Sequence, residues 1–205
     1  MTAKTHWEKV YSSKAAERVG WYVPHLQTSL AMIIRTKIGK EAKIIDAGGG
    51  ASTFVDDLLN ADFENITVID IALTGLDQAR SRLGERAATV QWIEGDVTSI
   101  DLPANFCDVW HDRAVFHFVT EAERRKQYVT HMRRALKPGG HLVIATFAPE
   151  APPKCSGLDV IRYSQEQLHR ELGAHWVLHE HQQELHVTPG GVKQMYLYCR
   201  FQKEA

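Results

Sequence analysis

The chain has 205 residues, and its 24 basic and 25 acidic side chains give a formal net charge of −1. This length predicts one domain with its own core, and the balanced charge argues against nucleic-acid binders, which carry a basic surface for phosphate contacts. The opening residues lack the apolar core of a secretory signal, and no apolar run approaches the roughly 20 residues that span a bilayer. We therefore expect a cytoplasmic protein without a membrane partner.

Short apolar runs alternate with helical patterns along most of the chain. Strands that are buried on both faces have this continuous apolar character, and regular strand–helix alternation is typical of a parallel sheet with right-handed crossovers. The sequence therefore predicts a doubly wound α/β domain. The predicted strands are 43–47, 66–70, 89–93, 107–111 and 141–147, and the predicted helices are 53–60, 72–83 and 121–136. We expect the last helix to stop at a turn formed by residues 137–140.

The C-terminal part departs from this alternation. Residues 164–167 have the capping-box pattern of a short helix, and Gly173 follows its expected end. Two further runs, 176–181 and 192–201, are separated by a Pro-Gly-Gly turn, and the second run alternates apolar and polar residues as a half-buried strand does. The prediction is a mostly parallel seven-stranded sheet that ends in an antiparallel hairpin.

Three predicted strands are each followed by residues suited to binding a ligand. Gly48, Gly49 and Gly50 follow the first strand, and a turn without Cβ atoms lets a ligand lie against the backbone and a helix N-terminus. Asp70 closes the second strand, where an acidic side chain can accept hydrogen bonds from ribose hydroxyls. Asp96 follows the third strand at the same edge of the sheet. Together these positions predict an adenosine-containing ligand.

On these residues, the chain resembles the class I S-adenosylmethionine-dependent methyltransferases from about residue 6 to residue 202. Residues 46–52 match the D-x-G-x-G-x-G loop, with Ser52 in place of its last glycine, and residues 136–144 are similar to the LKPGGxLV signature. The resemblance implies a Rossmann-like fold and S-adenosylmethionine as the methyl donor, with S-adenosylhomocysteine as its product. The implied cofactor-binding residues are Asp46, Gly48, Gly50, Asp70, Ile71, Asp96, Val97 and His111.

Residues 106–113 resemble the family's fourth-strand motif, which lies beside the methionine part of the cofactor. We therefore expect Asp112, Arg113 and His117 to be the catalytic residues on the acceptor side, with His117 able to take a proton or orient a substrate. The alternative is that Asp112 caps the following turn and pairs with Arg113.

The methyl acceptor is expected to be a small molecule. Residues 110–113, Trp-His-Asp-Arg, resemble the W-D-R stretch of thiopurine- and tellurite-type methyltransferases, which favours a thiol or chalcogen acceptor. The alternative is a protein-lysine N-methyltransferase, because the opening HWEKVY and VGWY segments also resemble lysine-directed members. A nucleotide-binding regulator or an NAD-dependent reductase is a more distant reading. No nucleic-acid acceptor is expected, since the [DN]-P-P-[YF] tetrad of the amino-directed members is missing.

The domain is expected to be single, covering residues 1–205. Residues 1–40 form an N-terminal segment with Trp7 and Trp21, and in relatives such a segment folds over the cofactor as a lid. Docking of these aromatic rings on the sheet is an equal alternative. Residues 41–205 form the cofactor-binding sheet. The three cysteines form no C-x-x-C pair and complete no metal-ligand cluster with the histidines, so no metal is expected.

Overall fold

The computed structural model describes residues 2–204 and places seven strands in one sheet. The sheet order is β3-β2-β1-β4-β5-β9-β8. The first five strands in this order are parallel to one another, and β9 runs antiparallel to both of its neighbours, β5 and β8. A two-stranded hairpin, β6–β7, follows β5 in the chain. The strands are β1 (Lys43–Ala47), β2 (Asn65–Asp70), β3 (Val90–Glu94), β4 (Cys107–Arg113), β5 (Leu136–Phe147), β6 (Lys154–Cys155), β7 (Leu158–Asp159), β8 (Trp176–Val187) and β9 (Lys193–Lys203). The predicted sheet and its terminal hairpin are confirmed.

Residues 2–204 form six α-helices. They are α1 (Ala3–Ser13), α2 (Gln27–Ile34), α3 (Phe54–Asn60), α4 (Leu73–Leu83), α5 (Ala122–Ala135) and α6 (Gln165–Leu172). Of these, α1 lies over the carboxyl ends of the strands. The capping box at Ser164 is present, and Gly173 ends α6 with a positive φ of 86°. Within residues 2–204, no helix is long and apolar enough to cross a membrane.

The segment 137–140 differs from its prediction. The helix ends at Ala135 as expected, but Leu136 already begins β5, so the Pro-Gly-Gly stretch belongs to the strand. The pairing with β4 shifts here, from Cys107–Leu136 to Val109–His141. Gly139, with a φ of +73°, allows the extra residues to be taken up as an irregularity within the strand, because glycine adopts this conformation without a steric penalty.

Successive side chains of β4 face opposite sides of the sheet, as in any strand. Val109 belongs to the apolar cluster that includes residues of α2 and α3, whereas Trp110 belongs to the cluster formed with α5. The side chains of His111 and Arg113 lie on the same face as Val109, and the side chain of Asp112 lies on the same face as Trp110. This alternation decides which residues of the fourth-strand motif can reach the ligand cavity.

Candidate functional site

A cavity with about 1030 Å³ of empty space, counting its open mouth, lies at the carboxyl ends of the parallel strands. This is the edge at which open α/β sheets bind their ligands. Of the residues predicted for the site, it is lined by Asp46, Gly48, Asp70, Ile71, Asp96, Val97, His111 and Arg113. Gly50, Asp112 and His117 do not line it. The structure therefore brings most of the predicted cofactor-binding residues to one cavity and leaves two of the three predicted catalytic residues outside it.

The glycine loop has no room for side chains. A Cβ atom on Gly48 would lie 2.0 Å from Cγ2 of Val115, and one on Gly50 would lie 2.2 Å from the Tyr11 hydroxyl. Both residues have a positive φ, 70° and 43° respectively. The backbone amide of Gly48 donates to the carbonyl of Ile69, 2.7 Å away, which ties the loop to the end of β2. Gly50 thus allows the loop to pack against Tyr11 without lining the cavity, while Gly48 forms part of the cavity wall.

Asp70 lies at the end of β2 with 5% of its surface exposed. Its Oδ1 accepts a hydrogen bond from the backbone amide of Ala72, at 2.8 Å, and no hydrogen bond reaches its Oδ2 from residues 2–204. Burial, together with the charges of Asp46 and Glu8, raises the pKa of Asp70 to about 7. A carboxylate with one unused oxygen on the cavity wall fits a ribose, whose hydroxyls would donate to it.

Asp96 already has partners on both oxygens. Its Oδ1 accepts from the backbone amide and the hydroxyl of Thr98, and its Oδ2 accepts from Nη2 of Arg124 at 2.6 Å. Arg124 comes from the first turn of α5 and lines the cavity. Arg124 could not be predicted as a site residue, because an arginine in an exposed helical pattern carries no signal of its pairing with a strand end.

His111 forms a buried chain of hydrogen bonds. Its Nδ1 lies 2.7 Å from Oδ1 of Asp46, and its Nε2 lies 2.8 Å from the hydroxyl of Ser29 on α2. The ring packs on Phe54 with a centroid distance of 4.0 Å. Both ring nitrogens are therefore engaged, whereas Oδ2 of Asp46 is enclosed without a protein partner among the described residues. Ser29 was missed because a serine in an amphipathic helix gives no sequence signal of its contacts.

The expectation that Asp112 contacts the acceptor is not met by the geometry. Its side chain is fully buried on the α5 side of the sheet, where it accepts from the Tyr128 hydroxyl at 2.5 Å and from the amides of Val115 and Phe116. Burial raises the pKa of Asp112 to about 6, against the lowering effect of these hydrogen bonds. Asp112 therefore caps the turn that follows β4, which was the alternative role considered for it from the sequence.

His117 is also placed differently from the expectation. It is fully buried, and its Nδ1 accepts a hydrogen bond from the backbone amide of Phe147 at 3.1 Å. Burial, assisted by the nearby charge of Arg113, lowers the pKa of His117 to about 3. Because Nδ1 is engaged and the ring is sealed from the cavity, His117 cannot reach an acceptor in this arrangement.

Arg113 is the predicted acceptor-side residue that does line the cavity. Its Nε donates to the Tyr198 hydroxyl at 2.8 Å, its Nη1 donates to the carbonyl of Trp21 at 2.9 Å, and its guanidinium lies 4.6 Å from the ring centre of Tyr196. The proposed ion pair with Asp112 does not form, since neighbouring residues in a strand face opposite sides.

The N-terminal segment covers the cavity with aromatic rings. Trp7 meets Trp21 and Phe118 edge to face, with centroids 5.5 and 5.0 Å apart, and all three residues line the cavity. The carboxylate of Glu8 anchors α1 by accepting from the backbone amide of Leu73 at 2.7 Å, where α4 begins. The structure thus shows the segment docked over the ligand edge of the sheet.

Comparisons with known proteins agree with this geometry. Residues 45–144 match the family described as "Methyltransferase domain". The malonyl-[acyl-carrier protein] O-methyltransferase of Paenibacillus sp. (strain JDR-2) is 30% identical over 125 residues, which are 58% of this chain and 44% of that protein. The eEF1A lysine and N-terminal methyltransferase of Bos taurus is 24% identical over 70% of this chain and 21% of its own length. The chain therefore spans less than half the length of these curated relatives.

Solved structures extend the likeness to nearly the whole chain. The N-methyltransferase NodS from Bradyrhizobium japonicum WM9, in complex with S-adenosylhomocysteine, superposes with a TM-score of 0.75 at 18% identity, over 98% of this chain and 100% of NodS. A structure described under the conversion of a disulfide bond into a thioacetal group during echinomycin biosynthesis gives a TM-score of 0.80 at 16% identity, covering 99% and 92% of the two chains. These likenesses show a shared fold. Together with the match of residues 45–144 to the methyltransferase-domain family, they support the predicted resemblance to the class I S-adenosylmethionine-dependent methyltransferases.

Proposed function

We propose that this chain binds S-adenosylmethionine along the cavity and transfers its methyl group to a small-molecule acceptor. The main observation is the order of the residues that line the cavity. Asp96, Asp70, Gly48 and Arg113 lie in this order along the ends of the four adjacent strands β3, β2, β1 and β4. Such a wall offers carboxylates for the adenosine part at one side and an apolar, aromatic end at the other. When bound, the cofactor supplies a methyl group on a sulfonium that is already a good leaving group.

The residues of the chain then have the task of binding and alignment. Asp70 accepts from the ribose hydroxyls, the loop at Gly48 allows the cofactor to approach the backbone, and Asp96 with Val97 holds the adenine end. Trp7 and Trp21 close the cavity over the acceptor, which excludes water and limits the directions from which it can approach. Holding two reactants in line supplies a large part of the barrier reduction in such transfers.

None of the groups His111, Asp112 and His117 is a free general base on the cavity wall, which supports a thiol or chalcogen as the acceptor. Both nitrogens of His111 are bonded, His117 is sealed in the core, and the Asp112 carboxylate faces α5. An alcohol would need a base to lose its proton, whereas a thiol of low pKa can ionise in water before it binds.

A protein-lysine acceptor is the second candidate, and one observation favours it. Curated relatives named as eEF1A lysine and N-terminal methyltransferases match 70% of the chain or slightly more in Bos taurus, Mus musculus and Danio rerio. Against it, Asp112, which could have stabilised an ammonium group, does not line the cavity.

The test uses cell extract and methyl-labelled S-adenosylmethionine, followed by ultrafiltration into small-molecule and macromolecular fractions. Label in new filtrate or headspace products supports a small-molecule acceptor. Protease-sensitive label on macromolecules instead identifies a protein acceptor. Calorimetry with S-adenosylhomocysteine and with NADH tests the cofactor separately, and binding of NADH alone would refute the methyltransferase function.

A further inference from the structure

We infer that the Arg113 guanidinium binds an anionic group of the methyl acceptor, so that the acceptor is a small organic anion, such as a carboxylate, with an apolar body. This inference rests on the proposed function and names the charge of its substrate. The geometry that points to it is a buried cation on the cavity wall that makes no ion pair with a carboxylate of residues 2–204.

Arg113 forms no ion pair with a carboxylate of residues 2–204, and the nearest compensating charge, Glu184, reaches it only through the Tyr198 hydroxyl, which lies 3.5 Å from the Glu184 carboxylate. Only 9% of Arg113 is exposed, and its Nη2 is enclosed without an acceptor among the described residues. Arg82 and Arg124, by contrast, pair with carboxylates at 2.7 and 2.6 Å. A buried charge is costly unless it is paired, and two neutral acceptors and a tyrosine ring compensate it only in part. An anion that enters the cavity would supply the missing partner.

The surroundings of Arg113 specify the rest of the acceptor. Trp21, whose carbonyl accepts from Arg113, lines the cavity together with Trp7 and Phe118, and their rings favour an apolar and preferably flat body. Cys155, 4% exposed, lines it as well. Burial raises the pKa of the Cys155 thiol while the charge of Arg113 lowers it, so the two groups are electrostatic neighbours.

The position of Arg113 in the sheet separates it from the adenosine part of the cavity. It ends β4, whereas Asp70 ends β2 and Asp96 follows β3, on the other side of β1. Two carboxylates could nevertheless reach Arg113, that of the acceptor and that of the cofactor's methionine part. A guanidinium binds either by charge-assisted hydrogen bonds, so the experiment must distinguish these sources.

The first measurement compares two alkylating reagents on the wild-type protein. Anionic iodoacetate and neutral iodoacetamide are each reacted with the protein, and modification of Cys155 is followed by peptide mass spectrometry. Each rate is divided by that of glutathione with the same reagent. An anion site at Arg113 raises the iodoacetate-to-iodoacetamide ratio about tenfold above the glutathione value, because a charge-assisted contact concentrates the anion near the thiol. A ratio equal to that of glutathione overturns the proposal.

The second measurement identifies which carboxylate Arg113 binds. If the ratio stays high with saturating S-adenosylhomocysteine, the site serves the acceptor. If S-adenosylhomocysteine abolishes the preference while iodoacetamide still reacts, the cofactor's carboxylate occupies Arg113 and the proposal is overturned. Should S-adenosylhomocysteine shield Cys155 from both reagents, calorimetry decides. Arg113→Gln is expected to keep the wild-type affinity for S-adenosylhomocysteine within about threefold, and a larger loss, approaching the roughly tenfold value of one charged contact, overturns the proposal.

Two variants control for folding and for the site of reaction. Arg113→Lys keeps the charge but not the fork of donors, and we expect it to retain part of the iodoacetate preference that Arg113→Gln loses. Cys155→Ser should remove the labelled peptide altogether, since Cys107 and Cys199 are fully buried in strands. If wild-type protein fails to bind S-adenosylhomocysteine, the proposed function fails, whereas the reagent ratio of the ligand-free protein still reports on the anion site by itself.

Discussion

Asp112 and Arg113 are consecutive residues of β4, yet their side chains lie on opposite faces of the sheet. Asp112 is bonded to Tyr128 of α5, and Arg113 is bonded to Tyr198 of β9 and to the N-terminal segment at Trp21. The fourth-strand motif thus serves two purposes. One side chain fixes the turn that follows the strand, and the other brings a positive charge to the cavity wall.

The first prediction concerns Asp112. Replacement by alanine leaves the Tyr128 hydroxyl and the Phe116 amide without their acceptor in the core, so we expect a loss of about 2–4 kcal/mol in the free energy of unfolding. Affinity for S-adenosylhomocysteine, measured by calorimetry at a temperature where the variant is folded, should stay near the wild-type value. Loss of binding by a folded variant would instead restore Asp112 to the ligand site. Asp101→Ala, at an exposed position, is the control.

The second prediction concerns Asp70. The pKa of Asp70 in the folded protein, about 7, lies well above its unfolded value near 4. Ionisation of Asp70 therefore destabilises the folded protein, and this destabilisation grows as the pH rises from about 4 to about 7. Asp70→Asn should therefore raise the Tm of the ligand-free protein at pH 8 and leave it nearly unchanged at pH 4. The same variant should weaken S-adenosylhomocysteine binding about tenfold, because an amide replaces one ribose acceptor by a donor.

Asp77→Asn is the matched control for this experiment, since Asp77 lies exposed on α4 and pairs only with Arg80 within that helix. It should change neither the affinity nor the pH dependence of Tm. An Asp70→Asn variant with wild-type affinity would show that Asp70 acts only in the turn after β2.

The third prediction concerns Arg124, which holds the carboxylate of Asp96 at the mouth of the cavity. Arg124→Ala removes the ion pair from Oδ2 of Asp96 and leaves only Thr98 to hold the carboxylate through Oδ1, so we expect the affinity for S-adenosylhomocysteine to fall about three- to tenfold. Arg124→Lys should recover part of the loss, since it restores the charge. Arg134→Ala removes an exposed pair with Asp101 elsewhere and should have no effect on binding. An equal loss in both alanine variants would indicate a general charge effect.

The sequence predicted the sheet well because strand burial and helix caps are local signals. The strands at 43–47 and 66–70, and the capping box at Ser164, depend on residues close together in the chain. The same is true of the glycine loop and Asp70, which follow strands whose carboxyl ends must meet at one edge. What could not be predicted are pairings between distant residues. Ser29 bonds to His111 across 82 positions, and no local pattern marks it.

The acceptor side was harder to predict for a related reason. Asp112 and Arg113 end the fourth strand and His117 follows it, and their proximity in sequence suggested a common role. Strand alternation sends Asp112 to α5, and the short helical turn after β4 directs His117 into the core beside Phe147. Only Arg113 remains on the cavity wall. The alternation itself was readable from the sequence, but the face of β4 that borders the cavity was not.

The last prediction concerns His117, whose pKa of about 3 lies far below its ordinary value because the ring is buried. The unfolded chain binds a proton at this histidine below about pH 6.5 and the folded chain does not, so the wild-type protein loses stability as the pH falls from about 6.5 towards 3. His117→Gln removes this proton-linked term, and its amide oxygen can still accept from the Phe147 amide. We expect the Tm of the variant to fall less steeply than that of the wild type between pH 7 and pH 5.

Methyl transfer by the His117→Gln variant at pH 8 should remain near the wild-type rate when the variant is folded. A large loss of turnover with unchanged cofactor affinity would contradict the buried placement and return His117 to the acceptor side. His131→Gln, at a half-buried position of α5, is the matched control.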